Sequence, residues 1–503
     1  MSIVSIYFLI FLFISVIIFY LFPKKNRWIV LLISSIIFFL FASSWKLLLY
    51  LIFGVITTYI GTNLMAEKCK TDKQRKIVMF LTLFSILSIL FLLKYINIFP
   101  LTLNAFSKLF SLDFKFGMLS LIAPLGISYY TLSLTGYVID IYRKSYEPQK
   151  NIFKHCLFAC YYPIMISGPF VRYNHMEKEL FEVKKFNWDN IFLGFYRIIY
   201  GLMKKLVIAD QLGLFVNAVF DNYTTYTGFY IIIAVILYAI QIYTDFSGCM
   251  DIVYGASKMY DVNLLENFDS PFFSKNLSEF WRRWHISLGT WAKDYIMYPL
   301  LKSDLFQRLG KKCKKDFGKK AGKLIPTVLA ILILWLLIGL WHGASFRYIF
   351  AAGILPWIYL TLGQIFEDYI KKLTKKLHIK TDCFSFRLFQ SLRTFGLMCI
   401  IWLIACSPSL LGSLDVIKYI FVFFDTTIID KLPQLPSKII LLCCILVLIV
   451  DYLNYKGINV FEKFKEQNIW FRWFILFALI IIILIFGAYG PGYDASEFIY
   501  GGF

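Results

Sequence analysis

The sequence is poor in charged residues, which make up 17% of its 503 residues, whereas soluble domains carry nearer a quarter. Acidic residues are the scarcer kind, since 31 Asp and Glu stand against 52 Lys and Arg and leave a net charge of +21. Hydrophobic residues make up 59% of the chain. This composition excludes a stack of soluble domains, a secreted disulfide scaffold, a coiled coil and a disordered chain.

Cysteine pairs and common catalytic motifs are also missing. The ten cysteines include no C-x-x-C pair, and several lie in apolar runs, so we expect no metal site. The sequence has no G-x-S-x-G nucleophile elbow, no G-x-x-x-x-G-K-[ST] phosphate loop and no H-E-x-x-H metal helix. The H-x-x-x-x-D acyltransferase signature is absent too. With only five histidines, the chain offers few general bases that work near neutral pH.

Apolar stretches long enough to cross a bilayer core of ~30 Å dominate the chain. The first has no basic residue before it and three just after it, which indicates an uncleaved first span. We therefore predict an all-α, polytopic integral membrane protein with about 11–13 membrane helices, in one domain over residues 1–503. The stretches lie near 2–22, 28–42, 47–64, 78–95, 119–138, 152–166, 191–208, 229–242, 325–340, 349–365, 388–405, 417–424, 439–452 and 471–486.

Lysine and arginine predict the orientation in the cell membrane. The basic segments 24–27 and 68–76 are separated by two spans, and so are the clusters 302–323 and 371–376. All four can then face the cytoplasm, which places the N-terminus outside the cytoplasm. The excess of positive charge is explained in this way without nucleic acid. A docking surface for an acidic carrier is the alternative for the long basic segment 302–323.

Polar residues concentrate in the middle of the chain, where charges near apolar spans often mark function. Gln241–Gly248 ends one apolar stretch, and Glu266–Pro271 and Glu279–Tyr295 follow. On one continuous helix, Trp281, Trp284, His285 and Leu288 would share a face. The alternative is an interfacial amphipathic helix with an aromatic belt.

His342 is the second polar residue in an unusual place. It follows the apolar stretch 325–340 and precedes Gly343. Counting from Lys323, about 18 residues at 1.5 Å per residue carry it ~27 Å into the membrane. It is predicted to lie near the far side of the membrane or at the base of a cavity. A plain interfacial histidine is the alternative.

Five blocks of sequence resemble, in order, those of the membrane-bound O-acyltransferase (MBOAT) family. The similarity is greatest to its bacterial branch, which contains the alginate O-acetyltransferase membrane subunit and is related to the teichoic acid D-alanyl transfer protein. The blocks are Pro124–Tyr130 with Asp140–Arg143; Tyr162–Tyr173; Gly201–Asp210; Gln241–Gly248 with Glu266–Phe268 and Phe280–Pro299; and Trp341–Ala344. The C-terminal segment Glu497–Phe503 departs from the family pattern, so no role is carried over to it.

The resemblance implies the MBOAT fold, a ring of membrane helices around a thinned centre with a channel between the two sides. It implies that His342 and His285 are catalytic. The further residues it implies for substrate binding or the tunnel are Asp245, Asn267, Trp281, Arg283, Trp284 and Trp341.

The activity implied is transfer of a short acyl group, acetyl in the first place, from a thioester to hydroxyls of an extracytoplasmic polysaccharide. The donor, acetyl-CoA or an acyl carrier, is a substrate on the cytoplasmic side; no metal and no permanently bound cofactor are expected. The acceptor is expected to be reached through an extracytoplasmic esterase-like partner protein. D-alanyl transfer to teichoic acid from a carrier-protein thioester is the first alternative. A lipid-linked sugar transporter is the second, although the chain shows no internal symmetry of the kind common in transporters.

Overall fold

The computed structural model describes residues 1–112, 114–124, 126–343, 345–422 and 437–490. Ala344 and the segment Glu497–Phe503 lie outside the described residues. Within the described ranges the chain is helical and contains no strand, apart from one isolated bridge between Phe268 and Trp284. The α-helices are Ile6–Leu21, Arg27–Ala42, Trp45–Glu67, Asp72–Leu90, Ile98–Leu109, Ile127–Tyr142, Ile152–Cys160, Tyr162–Met165, Tyr173–Phe181, Trp188–Leu202, Asp210–Asp221, Phe229–Met259, Leu277–Arg283, Ile286–Ala292, Tyr298–Lys302, Asp304–His342, Phe346–Ile349, Leu355–Lys376, Phe384–Cys406, Gly412–Ile420, Lys438–Tyr455, Val460–Lys465 and Ile469–Phe486.

Nine helices in the described part of the chain are long and apolar enough to cross a membrane. They carry many large apolar side chains on their outer faces, such as Phe84 at 72% exposure, which suits contact with lipid rather than water. The protein is therefore a multi-pass membrane protein, as predicted. The candidate spans are Lys24–Ala42, Trp45–Glu67, Asp72–Tyr95, Phe229–Met259, Asp304–His342, Phe346–Lys376, Phe384–Cys406, Lys438–Tyr455 and Ile469–Phe486.

The remaining predicted stretches form shorter helices. In the stretch 119–138 the helix begins only at Ile127, because Gly126 before it has a left-handed backbone with φ of 68°. The stretch 152–166 is divided after Cys160, and a new short helix, Tyr162–Met165, begins with Pro163 in its first turn. These breaks explain why fewer helices qualify by length and composition than the 11–13 predicted.

The centre of the molecule is formed where the helix Trp188–Leu202 packs against Phe229–Met259. Their backbones come so close that a Cβ on Gly194 would lie 2.6 Å from the carbonyl oxygen of Gly255. A Cβ on Gly201 would likewise lie 2.5 Å from the oxygen of Gly248. Small residues allow such close helix contact in membranes, where no hydrophobic effect drives helices together. This packing holds the polar end of Phe229–Met259 at the centre of the fold.

The basic segment 302–323 is a helical hairpin rather than a loop. The helix Asp304–His342 is interrupted at Gly318, which has φ of 88°. The two halves pack against each other so closely that a Cβ on Gly322 would lie 2.6 Å from the Cβ of Lys314. Lysine has good helix propensity, so a lysine-rich segment can stay helical outside the membrane. The second half continues without interruption to His342.

Candidate active site

His342 lies at the inner end of a cavity of about 260 Å³. One face of the helix that ends at His342 forms the cavity wall, through Thr327, Ile331, Leu334, Trp335 and Ile338. They follow one another at intervals of three or four residues, except for the adjacent pair Leu334 and Trp335, so they project on the same side of the helix. From Thr327 to His342 the wall runs for about 22 Å at 1.5 Å per residue. The cavity is thus an elongated apolar channel with an imidazole at its far end.

The predicted single helix around His285 is wrong. The chain forms two short helices, Leu277–Arg283 and Ile286–Ala292, and His285 between them has a left-handed backbone with φ of 48°. The loop before the first helix causes the break, because Asp269 N–H donates to the carbonyl of Arg283 and Ile286 N–H donates to that of Asn267. Backbone groups that a continuous helix would use internally are satisfied by this loop instead.

The break nevertheless brings the predicted residues together. Trp281, Trp284, His285 and Leu288 all line the same cavity as His342. The two rings Trp281 and Trp335 close one side of it, with centroids 4.7 Å apart. His285 is 4% exposed. Two of the chain's five histidines therefore share one cavity.

Asn267 orients His285. The amide N–H of Ser287 donates to Asn267 Oδ1 at 2.9 Å, and this fixes which way the side-chain amide points. The same Oδ1 lies 3.3 Å from Nδ1 of His285. Since Oδ1 can only accept, we assign the proton to Nδ1, which leaves the lone pair of the neutral ring on Nε2. In this tautomer Nε2 is the basic atom of His285.

Trp341 packs between the two histidines. Its ring centroid lies 4.9 Å from that of His342 and 5.9 Å from that of His285. The indole nitrogens of Trp341 and Trp281 are buried and have no hydrogen-bond partner among the described residues. Such indole N–H groups could donate to negative charge that develops on a substrate oxygen.

Asp245 and Arg283, which the resemblance connected with the tunnel, do not line this cavity. Asp245 is fully buried, and its Oδ1 lies 2.5 Å from Nζ of Lys205, which also contacts Asp210 at 2.8 Å. Arg283 pairs with Glu279 and Asp269. Both residues therefore connect structural elements around the site. Asp245 links two central helical segments, and Arg283 links the helix Leu277–Arg283 to the loop before it.

Lys94 is a site neighbour that the sequence interpretation missed. It lies in the turn Phe91–Tyr95, which has π-helical hydrogen bonding, at the end of an apolar helix. Its Nζ is 5.6 Å from the ring centroid of Trp341. The available signal was a lone lysine at the end of the apolar stretch 78–95, since charges in spans commonly mark function.

Two further cavities are lined by several charged side chains. One of about 500 Å³ is lined by Lys319, Lys320 and Lys323, and it shares Thr327 and Gln364 with the histidine cavity. It therefore forms the mouth of the channel. Another, of about 540 Å³, includes Arg197 and Lys204. Both of these cations already pair with Asp251, so that cavity presents no unneutralised cluster of cations.

Comparison with known proteins identifies relatives of one kind. Residues 149–312 match the MBOAT, membrane-bound O-acyltransferase, family. The chain is 32% identical over 326 residues to a protein named "Probable alginate O-acetylase AlgI" from Pseudomonas syringae pv. tomato, covering 64% of this chain and 56% of that one. It is 27% identical over 394 residues to a peptidoglycan O-acetyltransferase from Helicobacter pylori, covering 73% and 69%.

A teichoic acid D-alanyltransferase from Bacillus subtilis is also similar, with 27% identity over 264 residues that cover 50% of this chain and 62% of the relative. The chain thus spans about half to two thirds of the length of the curated relatives it matches. His285 and Asn267 lie within the segment that matches the family, and His342 follows it. Residues 149–312 thus match the membrane-bound O-acyltransferase family, and the chain is a homologue of bacterial O-acetylases and teichoic acid D-alanyltransferases, as the order of its sequence blocks predicted.

Proposed function

We propose that the protein is a membrane O-acyltransferase that moves an acetyl group from a thioester to hydroxyls of an extracytoplasmic polysaccharide. The observation that carries the proposal is one apolar cavity with two imidazoles at one end and a lysine-lined mouth at the other. An apolar channel suits a short acyl chain, and it keeps bulk water away from the reactive thioester. The named activities of the relatives, two O-acetyl transfers and one D-alanyl transfer, support the same class of reaction.

The chemistry needs a base because a sugar hydroxyl is a poor nucleophile. In the proposed reaction His342 takes the proton from the hydroxyl as its oxygen adds to the thioester carbon. The resulting intermediate then breaks its C–S bond, and the imidazolium returns the proton to the departing thiolate. The products are an ester and a thiol. His285, held by Asn267, stands beside this exchange with Nε2 as its basic atom.

The mouth of the channel fits an anionic donor. Lys319, Lys320 and Lys323 belong to one turn of helix and are not offset by a carboxylate lining that cavity. Lys320 pairs with Asp368 on the neighbouring helix, and both side chains are largely exposed. A thioester carrying phosphate groups, as acetyl-CoA or the prosthetic arm of an acyl carrier does, would meet positive charge there. The donor would therefore enter from this end, and the acceptor polysaccharide, presented by an esterase-like partner, from the other.

This arrangement predicts the topology. Lys320 and Asp368 lie 2.6 Å apart and bring the basic clusters 302–323 and 371–376 to one end of the molecule. The N-terminal ammonium donates to the carbonyl of Phe41, far along the helix from Arg27. The N-terminus and the basic turn 24–27 thus lie at opposite ends of this helix. We propose that the basic end is cytoplasmic and the N-terminus extracytoplasmic.

Thiol labelling checks this topology. Cys313 lies in the basic hairpin but is only 6% exposed, so it is a poor reporter. In a chain without native cysteines, Lys315→Cys should react with an impermeant thiol reagent only after lysis, whereas Lys46→Cys should react in intact cells. Both lysines are exposed, so the pair differs only in side. Labelling of Lys315→Cys in intact cells would contradict the topology.

Deletion of the gene should remove a small ester from a surface polymer. Mass spectrometry of the polysaccharide with and without the gene, after mild alkaline release of esters, is expected to show loss of acetate. A His342→Ala chromosomal variant should match the deletion, and the wild-type gene supplied in trans should restore the ester. Loss of D-alanine instead would favour the teichoic acid activity of one relative, and an unchanged ester content would contradict the enzyme proposal itself.

A further inference from the structure

Lys94 is a cation without a carboxylate partner next to the candidate site. Among the described residues no Asp or Glu oxygen lies within 4.0 Å of its Nζ. Nζ donates to Ser128 Oγ at 3.2 Å and stands over the rings of Trp341 and Tyr95, 5.6 Å and 5.8 Å from their centroids. Charges in membrane helices are costly and usually pair. A lysine with only a hydroxyl and aromatic faces around it leaves room for an anion that is present only during the reaction.

The position of Lys94 relates it to the two histidines. Tyr95 OH donates to the backbone carbonyl of Trp341 at 3.5 Å, which ties the turn Phe91–Tyr95 to the end of the histidine-bearing helix. The indole of Trp341 contacts His342 and His285. One aromatic ring therefore separates the ammonium from the imidazoles, in surroundings of low polarity where charges act over longer distances than in water.

We propose that Lys94 supplies the positive charge that stabilises the oxyanion of the acyl-transfer intermediate. The inference rests on the proposed O-acyl transfer. As the acceptor hydroxyl adds to the thioester carbon, the carbonyl electron pair moves onto its oxygen; when the C–S bond breaks, the pair returns and the charge leaves with the thiolate. A preorganised cation near such a charge stabilises it across surroundings of low polarity, so it contributes to the rate and not to the binding of the neutral thioester carbonyl.

The same charge affects the base. A cation near His342 opposes protonation of its ring, so it favours the neutral form that can accept a proton. The titratable groups around this cluster are Lys94, Tyr95, Tyr129, His285 and His342. Lys293 is the charged side chain that lines the histidine cavity itself. Removal of the charge on Lys94 should therefore also shift the pH dependence of the rate.

The test measures acyl transfer from radiolabelled acetyl-CoA in membranes that contain the full chain. Lys94→Gln should lower kcat by about 10²-fold with little change in the KM for the donor, the size of effect seen when one oxyanion donor is removed. The acid limb of its pH–rate profile should move to higher pH. Lys94→Arg, which keeps a cation, should retain far more activity than Lys94→Gln.

Two matched controls separate charge from packing. Lys46 also stands over a tryptophan ring, 5.9 Å from the centroid of Trp45, but it is exposed and remote in sequence from the site. Lys46→Gln should leave kcat and the pH profile unchanged. Ser128→Ala removes the hydrogen-bond partner of Lys94 and keeps the ammonium, so it should cost much less than Lys94→Gln. If Lys94→Arg were as slow as Lys94→Gln with an unshifted profile, the charge would not matter and the proposal would be wrong.

A chemical rescue makes the test independent of folding. Lys94→Cys can be treated in the membrane with a methanethiosulfonate that adds an aminoethyl group, which restores an ammonium at nearly the length of lysine. The rate should rise after this treatment but not after treatment with the neutral methyl reagent, and the treated wild type corrects for reaction at native cysteines. No difference between the two reagents would overturn the role of Lys94. A wild-type chain that forms no ester would instead contradict the proposed function and leave the variants without a rate to compare.

Discussion

Replacement of His342 by alanine is expected to slow acyl transfer by about 10²–10⁴-fold, the usual contribution of a general base. The imidazole ends the channel and is the group proposed to take the hydroxyl proton, so its loss leaves only binding and electrostatic stabilisation. The fold should survive, because His342 ends its helix and lines a cavity, and Gly343 follows it. The measurement is ester formed per unit of protein, with the amount of each variant in the membrane determined in parallel.

The control is His378→Ala. His378 is exposed in the turn after the helix Leu355–Lys376 and does not line the cavity, so its loss should leave the rate unchanged. His342→Gln adds a variant of similar size that can hydrogen-bond but cannot serve as a base at neutral pH, and it should be as slow as His342→Ala. A normally abundant His342→Ala protein with the wild-type rate would rule out the proposed mechanism.

The position of His342 was predictable because its determinants are local. A lysine-rich segment, an apolar stretch of known rise per residue and a terminal Trp341–Gly343 place the imidazole deep along one helix. The structure has that helix, and its channel-lining residues lie on one face of it. Depth along a helix follows from counting residues, and counting needs no knowledge of the rest of the chain.

The environment of His285 was not predictable in the same way. Trp281, Trp284, His285 and Leu288 fit the period of a helix, yet the helix breaks at His285. The break depends on backbone hydrogen bonds from a loop that precedes it. Tertiary partners of this kind override local periodicity, and a single sequence does not show which loop will supply them.

The partners of the buried charges were hidden for the same reason. Asp245 lies in a block that resembles the family and was expected near the tunnel, but it pairs with Lys205, which Asp210 also contacts. Lys94 lies far from any block that resembles the family and reaches Trp341 only through folding. A lone charge in an apolar stretch signals that a partner exists, and only the packing of helices shows whether that partner is a carboxylate or a reaction site.

His285 and Asn267 are expected to act as one unit. His285→Ala should lower the rate by about 10²-fold, at the lower end of the range for acid–base residues, because His342 remains. Asn267→Ala should lower it by about 10-fold, since the ring of His285 loses the acceptor that fixes its tautomer and orientation. Asn263→Ala, an exposed position in the same loop, is the matched control and should leave the rate unchanged.

The double variant decides whether the two residues are coupled. If Asn267 acts only by orienting His285, then His285→Ala together with Asn267→Ala should be no slower than His285→Ala alone, because the second change removes the support of a ring that is already gone. If the rate losses of the two single variants multiply in the double variant, Asn267 contributes independently, for example by accepting the hydrogen bond from Ser287 N–H at its Oδ1.

The variant Asn267→Asp tests the direction of the effect. A carboxylate in place of the amide favours the charged imidazolium, so the acid limb of the pH–rate profile should move to higher pH. An unshifted profile with additive losses would exclude the pairing of Asn267 with His285 as a catalytic device.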